Sequence, residues 1–224
     1  MTARFLLLFM VILGSVLGAC SVEKLNVQDT PLDPIEIIDQ DGRHWDVSRA
    51  VRQFGFRADH FLFGQGAFSS PPLILPRMFV LGDPKFPAPT DSFEVAGTVV
   101  AGTPSAYDTA RLLGFEVADD VVGSRAVAVV YRPLLDDVFP YTRVTDGKTL
   151  TLSASGWVYN NQSVLFDYET NSLWYRLDGT KGLTCIGGAF VGNVLAELPV
   201  VRTTWPLWLL LHPTTRVLPP LSAP

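Results

Sequence analysis

Apolar residues fill the start of the chain with little polar interruption. Phe5–Val16 is uncharged and about 12 residues long, and it follows the single cation Arg4, whereas a helix that crosses the hydrocarbon core needs about 20 residues. This pattern predicts a secretory signal peptide over residues 1–19 instead of a permanent membrane anchor.

The lipobox of bacterial lipoproteins is matched by Leu17-Gly18-Ala19-Cys20, which ends the apolar stretch. Small residues there fit the signal peptidase, and the Cys20 thiol takes a diacylglycerol. Several acyl chains on Cys20 would anchor the protein firmly, since each buried methylene contributes about 0.8 kcal/mol. Ser21 resembles the outer-membrane sorting pattern. We therefore expect an exported, membrane-anchored lipoprotein, facing the periplasm from the outer membrane if the host is Gram-negative; the alternative is an ordinary signal peptide beside an accidental cysteine.

The segment that follows is polar and then becomes patterned. Residues 20–34 predict a lipidated tether, and Ile35–Ile38 predicts a strand that enters a turn at Gln40-Asp41-Gly42. Apolar residues then recur with helical spacing over residues 47–54, with Asp46 and Gly55 placed to cap the helix: Val47, Ala50, Val51 and Phe54. Phe61–Pro89 predicts a long loop whose apolar residues we expect to pack: Phe63, Phe68, Leu73 and Leu75.

From Phe93 onward, β-branched and aromatic residues predict strands. The predicted strands are Phe93–Val100, Ala126–Tyr131, Phe139–Thr145, Lys148–Ser155, Val164–Tyr168 and Leu173–Leu177. Asp146-Gly147 and residues 169–172 predict hairpins, and Asp178-Gly179 predicts another turn. Thr204-Trp205-Pro206 predicts the start of a short helix, in which we expect Leu207–Leu211 to pack against the sheet.

These elements predict an α+β, β-rich fold: an antiparallel sheet or partial barrel with a few short helices. We expect one globular domain over residues 35–218 and a loose tail over residues 219–224.

Charge and cysteine content limit the function classes. Removing residues 1–19 takes away only Arg4, so the net charge changes from −5 to −6, with 16 basic and 22 acidic side chains. An acidic chain argues against a nucleic-acid partner, whose phosphates require a basic face. With Cys20 lipidated, Cys185 has no disulfide partner within the chain, and we interpret it as a small buried hydrophobe.

The order of motifs over residues 126–218 resembles the bacterial domain of unknown function 3179 family. The matching residues are Ala128–Leu134, Ser155-Gly156 with Tyr159-Asn160, Asp167–Trp174, Thr204-Trp205 with Trp208, and His212-Pro213, together with Gly82–Phe86 and Ala106-Tyr107 upstream. The run Asp-x-x-Thr-x-Ser-Leu-Trp is the most specific part. The resemblance implies a fold and an exported compartment, and it implies no activity.

This chain also departs from the family pattern. Many members have a Cys-Pro-Leu-Cys turn and a Trp-His-Glu motif, whereas here Arg132 and Leu135 occupy the two cysteine positions and Phe115 occupies the histidine position, before Glu116. Thiols beside an imidazole suit soft-metal binding or thiol chemistry. Arginine, leucine and phenylalanine offer no such donor, so we expect that site to be lost.

No catalytic constellation stands out. His44, His60 and His212 lack the spacing of helical metal ligands, and the adjacent carboxylates Asp119-Asp120 and Asp136-Asp137 are expected in solvated turns, where neighbours point to opposite faces. We expect no metal and no cofactor.

The aromatic residues in the region that best matches the family pattern have two interpretations. They line a ligand groove, or they belong to the core and to cross-strand pairs. The candidate ligand-binding residues are Arg132, Tyr159, Asn160, Asp167, Trp174 and Glu116. We predict a non-catalytic envelope lipoprotein that binds a small molecule or a protein partner and is held to the membrane by its lipid. The alternatives are an enzyme that uses Arg132 on an anionic substrate and a degenerate metal- or thiol-handling protein.

Overall fold

The computed structural model describes residues 32–64 and 70–221. Cys20, residues 1–19 with their predicted signal peptide, and Phe68 lie outside the described residues, so the predictions for them stay predictions. Strands account for 44% and helices for 12% of the structure, and the predicted β-rich α+β class is confirmed. Within the described residues, the sheets stay open and none closes on itself. No helix there is both long and apolar enough to cross a membrane.

The described part of the chain contains eighteen strands and three α-helices. The strands are β1 Glu36–Ile38, β2 His44–Asp46, β3 Leu62–Phe63, β4 Leu73–Ile74, β5 Glu94–Val100, β6 Thr103–Asp108, β7 Val117–Val122, β8 Arg125–Arg132, β9 Asp137–Thr142, β10 Val144–Thr145, β11 Lys148–Thr149, β12 Leu152–Tyr159, β13 Gln162–Asp167, β14 Leu173–Tyr175, β15 Gly182–Gly187, β16 Val194–Ala196, β17 Val201–Thr204 and β18 Arg216–Leu218. The helices are α1 Ser48–Phe54, α2 Thr109–Leu113 and α3 Trp205–Leu211, with a 3₁₀ turn at Ala58–His60.

Three larger sheets hold most of these strands. Their orders are β16-β15-β14-β13-β12-β3, β17-β5-β6-β18 and β4-β7-β8-β9, and β1-β2 and β10-β11 form two small ribbons. All pairs are antiparallel except β18 with β6 and β4 with β7.

The buried apolar residues form layers between these sheets. One cluster lies between the β1-β2 ribbon with α1 and one face of the six-stranded sheet. A second joins the other face of that sheet to β7 and β8, and a third joins the opposite face of β7 and β8 to β5, β6 and α2. A fourth packs α3 on the outer face of β5, β6 and β18. The β7-β8 pair is therefore buried on both faces.

The predicted local elements largely form. The Asp46 carboxylate accepts the backbone N–H of Ser48 at 2.8 Å at the start of α1, and Gly55 ends this helix with φ of +73°. Asp146-Gly147 turns between β10 and β11, and residues 169–172 connect the antiparallel strands β13 and β14. Each predicted segment beside Asp146-Gly147 is divided into two strands. Only β10 and β11 pair across this turn, whereas β9 pairs with β8 and β12 pairs with β13 and β3.

Two packing predictions are wrong. Leu75 is exposed with φ of +47° just after β4. The chain leaves the sheet edge after the two residues of β4, so Leu75 does not pack against the sheet. In α3, Leu207, Leu210 and Leu211 are exposed, and the buried stripe consists of Trp205 and Trp208 at i and i+3. A seven-residue helix on a sheet buries one such stripe, and the two indoles occupy it.

Candidate functional site

A cleft of about 420 Å³ lies where α2, the turn after β8 and strand β12 meet. Its lining residues are Gly64, Ser70, Leu113, Glu116, Pro133, Leu134, Ala154, Gly156, Trp157, Val158 and Ser163. The volume falls within the range of about 300–1,000 Å³ for small-ligand sites. We call this the Glu116 cleft.

The backbone places the Glu116 side chain at this cleft. After α2 the chain reverses, and Glu116 adopts a left-handed φ of +58° while its N–H donates to the carbonyl of Leu112 at 2.7 Å. Its own carbonyl accepts the N–H of Tyr131 at 2.7 Å, which attaches this turn to the end of β8. Non-glycine residues in this region are uncommon and strained, and two backbone hydrogen bonds hold Glu116 there.

The Glu116 carboxyl is the one acidic group among the described residues that line the cleft. The hydroxyl of Ser163 donates to its Oε2 at 3.1 Å. Burial raises the pKa of Glu116, and the hydrogen bond from Ser163 opposes this rise. None of the ion pairs within the described residues includes Glu116, so no cation there neutralises the carboxyl that lines the cleft.

Apolar side chains surround this carboxyl. Leu113 and Leu134 are 51% and 62% exposed although both are large hydrophobic residues. Trp157 is buried, contacts Phe63 edge-on at 4.9 Å between ring centroids, and has an Nε1 without a hydrogen-bond partner in the described part of the chain. The cleft therefore combines an apolar wall with one carboxyl acceptor.

Arg132 lies directly before the cleft residue Pro133, but its guanidinium is occupied. It forms a bidentate pair with Asp137 and donates to Oε1 of Gln162. It also lies over the ring of Phe139, at 5.0 Å from the centroid. Arg132 is buried and links β8, β9 and the start of β13. These contacts stabilise the strands next to the cleft.

Tyr159 and Asn160 lie in the core and in a turn. The Tyr159 ring packs in the cluster with Phe56 and Phe61, and its hydroxyl accepts the backbone N–H of Arg57 at 3.2 Å. Asn160 is exposed at φ of +45° and Asn161 follows at φ of +60°, which is the geometry of a tight hairpin turn between β12 and β13.

Asp167 and Trp174 are fully buried and bind each other. Oδ2 of Asp167 accepts the indole N–H of Trp174 at 2.8 Å, and Oδ1 accepts the N–H and the hydroxyl of Thr170 at 2.6 and 2.8 Å. The family's most specific motif therefore stabilises the turn between β13 and β14. Asp167 is also four residues along β13 from Ser163, about 13 Å at 3.3 Å per residue.

The six sequence candidates thus do not share one concavity. Glu116 lines the cleft, Arg132 supports it, and the other four belong to the core or to turns. Sequence reasoning missed Leu113, Trp157 and Ser163 as neighbours of Glu116. Trp157 stood in the predicted aromatic cluster, but no pattern linked these residues to Glu116.

The expectation of solvated turns is wrong for Asp119 and Asp120, which lie in the doubly buried strand β7 and are 0% and 3% exposed. Asp120 accepts the Tyr107 hydroxyl at 2.6 Å and pairs with Arg216. Asp119 accepts the N–H of Leu152 at 2.9 Å, and its other oxygen lies 4.0 Å from Nε of Arg143. The two carboxylates point to opposite faces, as predicted.

The remaining candidates lie apart from the cleft. His44 is exposed and lies 2.7 Å from Glu36, and the ring of His212 packs on Trp208 at 4.0 Å between centroids. Cys185 is buried, which confirms the interpretation of a small buried residue, and burial raises the pKa of its thiol to about 11. The described residues contain no group of three or more His, Cys, Asp or Glu placed to hold a metal ion.

Three residues of the cleft lining are chain neighbours of the positions at which this sequence departs from the pattern that it resembles. Glu116 follows Phe115, and Pro133 and Leu134 lie between Arg132 and Leu135. The model of a family described as a protein of unknown function, DUF3179, matches residues 72–223, more than half of the chain. No curated protein and no solved structure matches it. The chain therefore belongs to the DUF3179 family.

Proposed function

We propose that this protein is a non-catalytic envelope lipoprotein whose domain binds a mainly apolar ligand, or an apolar segment of a partner, in the Glu116 cleft. The observation that carries the proposal is a half-buried carboxyl with free acceptor capacity inside an apolar wall. The location follows from the signal peptide and lipobox pattern that ends at Cys20.

The apolar wall supplies the affinity in this proposal. Leu113 and Leu134 are exposed in the free protein, and burial of a leucine side chain contributes about 1.5–3 kcal/mol. Glu116 supplies the selectivity, because a buried carboxylate gains from a ligand N–H or O–H and penalises a ligand that offers none. The preferred ligand thus has an apolar body and at least one donor.

The geometry disfavours the two alternatives. An enzyme that grips an anionic substrate needs a free guanidinium, and Arg132 already uses its donors on Asp137 and Gln162. Metal or thiol chemistry needs soft donors at positions 115, 132 and 135, where this chain has Phe115, Arg132 and Leu135.

Fluorescence titration with N-phenyl-1-naphthylamine tests the cleft, because this uncharged probe combines an apolar body with one N–H donor. We expect saturable binding that Leu134→Ser weakens about fivefold and Glu116→Ala about tenfold. Leu210→Ser is the matched control, since Leu210 is exposed on α3 away from the cleft. Equal weakening by Leu210→Ser, or no binding, would contradict the proposal.

An activity assay separates binding from catalysis. Purified protein is expected to leave 4-nitrophenyl acetate unhydrolysed, and hydrolysis that disappears in a folded Glu116→Ala variant would make the protein an enzyme.

Mass spectrometry of the native N-terminus tests the location. A diacylglyceryl-modified Cys20 is expected, and an uncleaved leader or a free Cys20 thiol would refute it.

A further inference from the structure

A second cleft, of about 720 Å³, opens between the loop over residues 77–93, α2 and the end of the described chain. Its lining includes three aromatic rings and three cationic side chains: Phe79, Phe86 and Phe93, with Arg77, Lys85 and Arg111. The volume suits a small organic ligand. We call this the Arg111 cleft.

Arg111 brings an incompletely satisfied guanidinium to this cleft. One terminal nitrogen donates to the carbonyl of Pro219 at 3.1 Å, which also packs the described part of the predicted tail against the domain. Its Nε is buried and has no hydrogen-bond partner among the described residues. Asp108 accepts the backbone N–H of Arg111 at 2.6 Å and forms no ion pair with its side chain.

The other two cations are also without carboxylate partners. None of the ion pairs within residues 32–64 and 70–221 includes Arg77 or Lys85. Arg77 lies over the Phe79 ring at 5.1 Å from its centroid, an arrangement that holds a guanidinium against an aromatic wall.

Asp91 is the one acidic residue among the described residues of the lining, and its Oδ2 accepts the N–H of Ala88 at 2.8 Å. The described lining therefore has three cationic residues and one acidic residue, in a chain whose net charge is −5. A local excess of positive charge in an acidic protein concentrates anions at this cleft.

We propose that the Arg111 cleft binds a small organic anion, a carboxylate or a phosphate carried on a flat apolar body. Guanidinium groups recognise both anions through paired charge-assisted hydrogen bonds. The three phenylalanine rings then bury the body of the ligand by offset or edge-on contacts. This site goes beyond the function proposed for the Glu116 cleft, and the two sites differ in the charge that they select.

Calorimetric titration with three probes of one ring system tests the proposal: 1-naphthyl phosphate, 1-naphthoate and uncharged 1-naphthol. We expect at least one anion to bind about tenfold more tightly than 1-naphthol, and the tighter anion identifies the preferred head group. Arg77→Gln and Arg111→Gln are each expected to weaken that anion about fivefold or more.

Arg125→Gln is the matched control, because it removes the same charge from an exposed residue outside the cleft. Arg77 is exposed, so its variant is informative even if Arg111→Gln fails to fold. Equal affinity for 1-naphthol and the anions, equal weakening by Arg125→Gln, or no binding of any probe would overturn the proposal. Leu134→Ser, which impairs the Glu116 cleft, is expected to leave anion binding unchanged.

Discussion

Two acidic regions only a few residues apart in the chain reach opposite environments. Asp119 and Asp120 lie inside β7 between two sheets, whereas Glu116, just before that strand, lines a cleft. Burial raises the pKa of both Glu116 and Asp119. A carboxyl group with a raised pKa therefore does not by itself mark a binding site in this protein. The two regions differ in whether a ligand can reach the carboxyl group.

The two regions also differ in how their acceptors are used. Asp120 is saturated by Tyr107 and Arg216, which join β6 and β18 to β7. Within residues 32–64 and 70–221, the Ser163 hydroxyl is the one group that donates a hydrogen bond to the Glu116 side chain. The first arrangement stabilises the fold, and the second leaves capacity for a ligand. Four measurements test this contrast.

The largest expected effect is that of Asp120→Ala on stability. The substitution leaves Arg216 and the Tyr107 hydroxyl without their partner in the interior, and breaking a buried pair costs about 3–5 kcal/mol. Urea denaturation is expected to show this loss in the free energy of unfolding. Asp59→Ala is the control, because it breaks an exposed pair with Arg57 and should leave stability unchanged. Similar stability of the two variants would contradict the contrast.

A pH-dependent effect is expected for Asp119→Asn. Burial raises the pKa of Asp119 from 3.8 to about 8, although Arg143 and the Leu152 N–H oppose the rise. Between these values the folded state keeps a proton that the unfolded chain releases, so this group lowers stability as the pH rises from about 4 to about 8. We therefore expect the free energy of unfolding of Asp119→Asn, relative to that of the wild type, to increase as the pH rises over this range. A constant difference would show that Asp119 is ionised throughout.

A smaller stability effect is expected for Glu116→Gln, within about 1 kcal/mol, because the side chain borders a cleft. Its main expected effect is on binding. The ionised form of Glu116 is the better acceptor, so probe affinity for the wild type should increase as the pH rises through the raised pKa of this group. In Glu116→Gln, titration with N-phenyl-1-naphthylamine should show affinity that is independent of pH.

The smallest effect is expected for Ser163→Ala. The Ser163 hydroxyl stabilises the ionised form of Glu116 and lowers its pKa against the effect of burial. Removing the hydroxyl should therefore raise the pKa of Glu116 further, as measured by NMR titration of its side-chain carbon. Ser70→Ala is the control, because Ser70 lines the same cleft but has no hydrogen bond to Glu116 in the structure. An unchanged pKa in Ser163→Ala would exclude this contact.

Much of the local structure was predictable because neighbouring residues determine it. Asp46 and Gly55 delimit α1 through one side-chain hydrogen bond and one left-handed residue. Asp146-Gly147 forms its turn because both residues tolerate positive φ. The family was recognised from a run that, in the structure, stabilises its own turn through Asp167 and Thr170. In each case the interacting groups lie a few residues apart.

The candidate site was only partly predictable, because its parts are distant in the chain. Glu116 was a candidate, but its partner Ser163 is 47 residues away. Likewise, the exposed leucines of α3 follow from Trp208 packing over Gly97, where an added Cβ would lie 2.3 Å from the indole ring. The sequence of α3 is apolar on nearly every side, so its periodicity does not reveal which stripe is buried.

The amino-acid sequence by itself determined the hairpin turns, the helices α1 and α3, the β-rich class and the family, since these depend on local chemistry and on the order of motifs, whereas it did not indicate α2. Only the tertiary structure decided that Asp119 and Asp120 are enclosed, that Glu116 opens to a cleft and that Arg111 faces a second one. The physical reason is that burial depends on which sheets stack on a strand. Strand β7 is covered on one face by residues of β12 to β16 and on the other by β5, β6 and α2.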